Sequence, residues 1–163
     1  MFLLLGGLGL ALVLVLLGAA LAAGPAPVPD GVEPGTAANP RVVNVIMRDY
    51  RFDPTPLYLA PGETVRLNVL NGGLVEHELV LGDDAVQSAW SRADAAATPP
   101  APFATAPPAS VSPAVGGIRL LLGSGGSTSL DYTVPAQLDL KLVCHLPGHA
   151  ERGMVGEVLA YRP

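Results

Sequence analysis

The chain of 163 residues has little of the chemistry on which many metal and redox proteins depend, since it contains one cysteine and three histidines. With one cysteine it can form no intramolecular disulfide. Sites built on paired cysteines, such as zinc ribbons and Cys-x-x-Cys motifs, are also excluded. Three histidines are too few for a multicopper oxidase. A lone cysteine in an exported chain indicates a free thiol, an intermolecular bridge or a metal ligand.

Charge is also scarce. Only 14% of the residues are charged, the formal net charge is -5, and the nine lysines and arginines form no run. Because binding to phosphates requires clustered basic side chains, this balance argues against nucleic acid as a partner. The mild acidity is otherwise weak evidence, because it mainly keeps a protein soluble.

Residues 1–23 carry no charged side chain, and the first charged residue of the chain is Asp30. A helix of this length extends roughly 35 Å, which is enough to span a bilayer. The segment predicts one N-terminal apolar helix, either a retained membrane anchor or a signal peptide cleaved near Ala22. The lack of a preceding Lys or Arg favours the anchor. Both alternatives place the rest of the chain outside the cytoplasm, in the periplasm or at the cell surface, and the anchor would make the membrane a partner.

Residues 24–40 contain five prolines and three glycines, a composition typical of an extended linker. From residue 41 the chain shows the alternation of apolar and polar residues that is typical of strands. Clear examples are the run Val65, Leu67 and Val69 and the run Leu138, Leu140, Leu142 and Cys144. Seven to eight short strands with turn signals between them predict an all-β domain, a β-sandwich, over residues 41–163.

The strand pattern is interrupted by a Pro/Ala-rich insertion at about residues 83–116. Asp83 or Asp84 is predicted to cap a short helix that ends near Ala97. Trp90 is interpreted as the packing anchor of this helix rather than as a redox relay. The Pro-rich remainder of the insertion predicts an irregular or mobile loop.

Four side chains with metal-binding atoms lie where the strand pattern can bring them together. His77 and Cys144 fall on the inward faces of their strands, and the turn at Pro147–Gly148 lets His149 return towards the same point. Met154 follows on the same loop. Two imidazoles, one thiolate and a weak axial thioether are the ligand set of a mononuclear type 1 (blue) copper site. Zinc instead prefers four strong ligands, and Met is rarely one of them.

Each of these side chains also has an ordinary structural explanation. Cys144 could be an inert core thiol, His77 a buried imidazole with a hydrogen-bond partner, and Met154 a core residue. The spacing of the loop favours the metal-ligand interpretation for all of them. His145 is predicted to lie outside the ligand set, because its side chain should point away from that of Cys144. It would then lie at the surface, behind the ligands or near the route of electron entry.

The run Cys144-x4-His149-x4-Met154, with Pro147–Gly148 inside it, resembles the copper loop of cupredoxins, the type 1 copper proteins that include auracyanins and azurins. The segment 45–54 resembles the first strand of small periplasmic cupredoxin-like domains. The segments 61–65 and 71–79 resemble the part of these proteins that leads to their first His ligand. The resemblance implies a cupredoxin-like Greek-key β-sandwich that binds one copper ion.

Carried over residue by residue, the resemblance implies that the copper ligands are His77, Cys144, His149 and Met154. Azurin-like proteins often have Asn after the first His ligand, where this chain has Glu78. This difference leaves open which side chain steadies the ligand loop, although the backbone N–H of residue 78 can still serve the Cys sulfur.

The expected function is the transfer of single electrons between redox protein partners outside the cytoplasm, without catalysis. The alternative is an extracytoplasmic copper-binding protein for copper trafficking or storage. An oxidase or nitrite reductase would need a second copper site with further histidines, and after His77 and His149 are assigned only His145 remains.

Overall fold

The computed structural model describes residues 31–97 and 108–161. The predicted N-terminal helix of residues 1–23, the first part of the predicted linker (24–30) and the centre of the insertion (98–107) lie outside the described residues. Of the helices within the described ranges, none is both long and apolar enough to cross a membrane.

Two β-sheets make up the described part of the chain. Their strands are β1 (Arg41–Arg48), β2 (Arg51–Asp53), β3 (Leu57–Leu59), β4 (Thr64–Asn71), β5 (His77–Gly82), β6 (Ile118–Leu122), β7 (Ser127–Thr133), β8 (Lys141–Val143) and β9 (Val155–Ala160). One sheet has the order β2-β1-β4-β7 and the other the order β3-β9-β8-β5-β6. The pairs β1–β4 and β3–β9 are parallel, and the other pairs are antiparallel. The chain therefore crosses repeatedly between the sheets.

This architecture confirms the predicted all-β sandwich. The strands in the described ranges outnumber the predicted seven to eight because β2 and β3, with three residues each, are too short to show an alternating pattern. The strand predicted from Leu138 to Cys144 is shortened to β8. On one side its partner β5 ends at Gly82, opposite Lys141, so on that side the residues before Lys141 have no strand partner.

The core lies between the two sheets and follows the alternation of the sequence. In β1, Val45 and Met47 are buried, and the parallel register places Val45 beside Val69 of β4. The same continuous cluster of buried side chains includes Cys144 and Met154. The apolar core therefore reaches the loop that carries the candidate metal ligands.

The predicted helix of the insertion is present as α1 (Asp84–Ala97), and a single 3₁₀ turn follows at Pro113–Val115. The Asp83 carboxylate accepts a hydrogen bond from the Val86 N–H at 3.0 Å and so caps the first turn. The helix lies so close to the sheet that a Cβ added at Gly82 of β5 would come within 2.4 Å of the Val86 side chain of α1. All six residues of β5 are buried as a result, on one side by the core and on the other by α1.

A buried carboxylate ties the ends of the domain together. Glu63 is only 2% exposed, and Arg41 donates to both of its oxygens, at 2.6 and 2.9 Å. The backbone N–H of Ala60 and that of Gly35 also donate to it, as does the Tyr161 hydroxyl. Burial alone would raise the pKa of the Glu63 carboxyl, but these donors together hold it below its ordinary value.

The Glu63 cluster predicts an acid-sensitive contribution to stability. A carboxyl whose pKa is lowered by folding stabilises the protein above its unfolded pKa, and this contribution is lost as the pH falls through the folded pKa. We expect Glu63→Gln to lower the free energy of unfolding by about 3 kcal/mol at pH 7, and the difference from wild type to shrink below about pH 4. Urea unfolding of both metal-free proteins between pH 7 and pH 3 measures this.

The matched control for this experiment is Glu33→Gln, because Glu33 is exposed. It should change the unfolding free energy by less than about 0.5 kcal/mol at each pH. A deficit of Glu63→Gln that is the same at every pH would contradict the argument.

Candidate metal centre

Three side chains with metal-binding atoms meet at one end of the sandwich. His77 is the first residue of β5, Cys144 directly follows β8, and His149 lies in the turn after Cys144. Their ligand atoms all lie within 4.8 Å of one another. The two imidazole Nδ1 atoms are 3.1 Å apart, and the Cys144 sulfur is 3.3 Å from Nδ1 of His149. The convergence predicted for His77 and Cys144 from strand alternation, and for His149 from the Pro147–Gly148 turn, is therefore present.

The separations suit the binding of one metal ion. Metal–nitrogen bonds of about 2.0–2.1 Å and a metal–thiolate bond of about 2.3 Å place neighbouring ligand atoms roughly 3–4 Å apart. His77 and Cys144 are fully buried, and His149 is half-buried. The three atoms can therefore bind one ion with little movement. Two imidazoles and a thiolate in one plane are the equatorial donor set of type 1 copper.

Backbone hydrogen bonds of the loop join Met154 to Cys144 and His149. The Met154 carbonyl accepts the Cys144 N–H at 3.1 Å, and the Met154 N–H donates to the His149 carbonyl at 3.0 Å. The Met154 side chain is fully buried in the same core cluster as Cys144. Gly148 and Gly153 adopt positive φ values of 80° and 98°. These conformations let the backbone turn tightly enough to form the two hydrogen bonds. The role of Met154 as axial ligand stays a prediction.

The protonation of the ligand atoms is set by burial. Burial raises the pKa of the Cys144 thiol to about 11, although the backbone N–H of Glu78, 3.5 Å from the sulfur, opposes the shift. Burial, together with the nearby His77 and Arg152, lowers the pKa of His149. At neutral pH the metal-free site therefore holds a thiol and a neutral His149 imidazole, and a metal that binds the sulfur must displace its proton.

The Glu78 side chain steadies the ligand loop, at the position where azurin-like proteins often have Asn. This fully buried carboxylate accepts the backbone N–H of His145 at 2.6 Å with one oxygen and the Arg119 guanidinium at 2.6 Å with the other. Arg119 also donates to Asp94 of α1 at 2.8 Å, and its guanidinium lies over the Trp90 ring, 4.7 Å from the centroid. The network joins the ligand loop to β5, β6 and α1.

His145 lies apart from the three converging atoms. Its imidazole Nε2 is 2.9 Å from the side-chain oxygen of Gln87 on α1. The amide nitrogen of Gln87 donates to the backbone carbonyls of Val80, Gly82 and Lys141. The side chain of His145 thus points away from that of Cys144 as predicted, and it packs against the insertion helix.

Two residues of the site have no signal in the sequence. Asp49 lies 3.0 Å from Nε2 of His77, and the Tyr50 ring lies edge-on to both imidazoles. Both belong to the turn between β1 and β2, and Asp49 precedes His77 by 28 positions. A turn residue at that distance follows no period that would relate it to the metal-binding motif.

Comparison with known proteins agrees with this geometry, although no family model matches the chain. The chain is 37% identical to the copper-resistant cuproprotein CopI of Rubrivivax gelatinosus, over 77% of this chain and 70% of that protein. It is 28% identical to the copper-resistant cuproprotein CopI of Pseudomonas aeruginosa, over 88% of this chain and 90% of that protein.

Several solved structures share the fold. Auracyanin B is 27% identical with a TM-score of 0.55, covering 80% of this chain and 94% of its own. Dithionite-reduced auracyanin from Roseiflexus castenholzii is 22% identical with a TM-score of 0.57, covering 74% of this chain and 97% of its own. Auracyanin A from Chloroflexus aurantiacus, also 22% identical with a TM-score of 0.57, covers 76% of this chain and all of its own.

Fold and site together define a copper-binding cupredoxin, and they confirm the predicted Greek-key β-sandwich and the predicted copper cofactor. Within that class, the chain belongs to the family of the CopI cuproproteins.

The Glu78 network predicts a stability effect. Glu78→Gln keeps the size of the side chain but removes the buried negative charge opposite Arg119, so we expect it to lower the unfolding free energy of the metal-free protein by about 3 kcal/mol. Urea denaturation measures the change. The control is Asp131→Asn, which breaks an exposed pair with Arg66 and should lower the unfolding free energy far less, because solvent screens an exposed pair. Equal effects of the two substitutions would contradict a structural role for the network.

Proposed function

We propose that this protein binds one copper ion at a type 1 site and carries single electrons between redox proteins. The proposed ligands are His77, Cys144 and His149, with Met154 as the axial ligand. The observation that carries the proposal is the convergence of the thiol sulfur and the two Nδ1 atoms within 4.8 Å. Copper, when bound there, would supply the Cu(II)/Cu(I) couple.

The rigidity of the site supports electron transfer. His77 and Cys144 are fully buried, and the backbone of the loop is fixed by hydrogen bonds from Cys144, His149 and Met154. Side chains held in this way keep their positions when the charge of a bound ion changes. The energy needed to reorganise the site during a transfer is therefore small.

The half-buried His149 is the proposed route for electrons to the surface. It follows Leu146 and Pro147 on the loop, of which Pro147 is exposed and Leu146 half-buried. An apolar surface of this kind suits docking of a redox protein through short-lived contacts. We do not propose a catalytic function. A copper enzyme would need a second copper site, whereas the described residues contain one group of three or more potential metal ligands. The remaining histidine, His145, contacts Gln87.

The second candidate function is copper trafficking or storage outside the cytoplasm. It is favoured by the relatives, which are named copper-resistant cuproproteins.

For either function we propose that residues 1–23 take the chain out of the cytoplasm, to the periplasm or cell surface. The uncharged segment and the Pro-rich residues 24–40 support an anchor in the membrane followed by a linker.

Copper loading tests the proposed site. We expect the purified metal-free chain to take up one equivalent of Cu(II) and to develop the intense visible absorption of a thiolate–copper bond. Cys144→Ser should abolish this absorption because it removes the sulfur. His145→Gln, the neighbouring control, should keep both the colour and the stoichiometry. A pale complex of the wild type, or loss of colour in His145→Gln, would refute the assignment.

Copper retention distinguishes the two candidate functions. If the protein is an electron carrier, voltammetry of the copper-loaded chain should give a reversible one-electron wave. Copper should also stay bound in the reduced state when a Cu(I) chelator is added. Rapid transfer of copper to the chelator upon reduction would favour trafficking and argue against an electron carrier.

A further inference from the structure

A carboxylate lies directly behind one of the two converging imidazoles. The Asp49 Oδ1 atom is 3.0 Å from Nε2 of His77, while Nδ1 of the same ring faces His149 at 3.1 Å. The two nitrogens of His77 therefore have different neighbours, the carboxylate on one edge and the metal-binding atoms on the other. The Asp49 side chain is 34% exposed, whereas His77 is fully buried.

The Asp49 carboxylate determines where the His77 proton lies. The backbone N–H of Leu74 donates to it at 2.9 Å. An ionised carboxylate can only accept hydrogen bonds, so His77 Nε2 must carry the proton. The lone pair then lies on Nδ1, the atom that faces the Cys144 sulfur and His149.

The surrounding loop is built around this pair. A Cβ added at Gly73 would lie 2.5 Å from Asp49 Oδ1 and 2.7 Å from His77 Nε2, so only glycine permits the approach. The position of Gly73 is fixed in turn by the Asn71 side chain, which accepts its N–H at 2.9 Å, and by the Ser124 hydroxyl, which donates to its carbonyl at 2.7 Å.

The turn that carries Asp49 is itself strained. Tyr50 has a φ of 65°, which is uncommon for a bulky residue. In this conformation the centre of the Tyr50 ring lies 5.1 Å from that of the His149 ring and 6.2 Å from that of the His77 ring. The Arg152 guanidinium lies over the Tyr50 ring, 4.5 Å from its centroid. Backbone strain of this kind persists only where the surrounding contacts require it.

We propose that Asp49 is a positioning residue for the metal site: its hydrogen bond holds His77 in the tautomer that presents Nδ1, and its negative charge makes that imidazole a stronger donor. The inference rests on the proposed ligand role of His77. A more basic imidazole backed by a negative charge stabilises Cu(II) relative to Cu(I), so Asp49 lowers the reduction potential. It also strengthens the binding of divalent ions.

The first test uses the metal-free full-length protein. Two-bond ¹H–¹⁵N correlation spectra of the histidine rings report which nitrogen is protonated. We expect His77 of the wild type to be the Nε2–H tautomer, and Asp49→Ala to contain a substantial fraction of the Nδ1–H tautomer. An unchanged tautomer in Asp49→Ala would overturn the positioning role, and this result does not depend on copper.

The second test uses metal binding and the reduction potential. Asp49→Ala should bind Co(II), used as a divalent probe, about 10–100-fold more weakly than the wild type. Asp49→Asn keeps the size of the side chain and removes its charge, so it should raise the reduction potential of the copper-loaded protein. The control is Asp131→Asn, in which an exposed carboxylate paired with Arg66 on β4 is neutralised.

The outcomes separate the two proposals. If Asp49→Asn and Asp131→Asn shift the potential equally, and Asp49→Ala binds Co(II) like the wild type, the inference is wrong while the copper site stands. If the wild type fails to bind copper, the proposed function fails, and the tautomer spectra still decide whether Asp49 positions His77. Should Asp49→Ala not fold, Asp49→Leu, which also lacks a hydrogen-bond acceptor, provides the ring spectra, and Asp49→Asn provides the Co(II) titration and the potential.

Discussion

The metal centre depends on the hydrogen bonds and ion pair made by Glu78. Its backbone N–H reaches the Cys144 sulfur, and its carboxylate holds the backbone of His145. Because Glu78 directly follows His77 on β5, one segment of strand positions both a candidate ligand and the loop that bears the other three. A buried carboxylate left without a charged partner is strongly destabilising, and Arg119 of β6 provides the partner here.

The insertion that interrupts the strand pattern is therefore part of the support for the site. Helix α1 supplies Asp94 and Trp90 to Arg119, and Gln87 to His145. It also covers the outer face of β5, which allows both faces of that strand to be buried. The ligand atoms are thus held before any metal binds. That rigidity suits a carrier of electrons, and it would also let a copper-binding protein retain its metal.

Much of this could be predicted from the sequence, because it follows from period-two alternation and from short-range spacing. Alternation identified the sandwich and turned His77 and Cys144 inward, and the side chain of His145 lies on the opposite side as expected. Asp83 marked the start of α1, and the Pro147–Gly148 turn brought His149 back to Cys144. Local patterns of this kind leave a trace in a single chain, whereas β2 and β3 were too short to do so.

The sequence by itself determined the fold class, and it predicted the candidate donor set and the loop that carries three of the four candidate ligands. Tertiary structure alone decided what surrounds them: Asp49 behind His77, Tyr50 edge-on to the two imidazoles, and Arg119 opposite Glu78. These partners lie 27 to 99 positions apart in the sequence. Their contacts arise from the way the sheets pack, and no period along the chain records them.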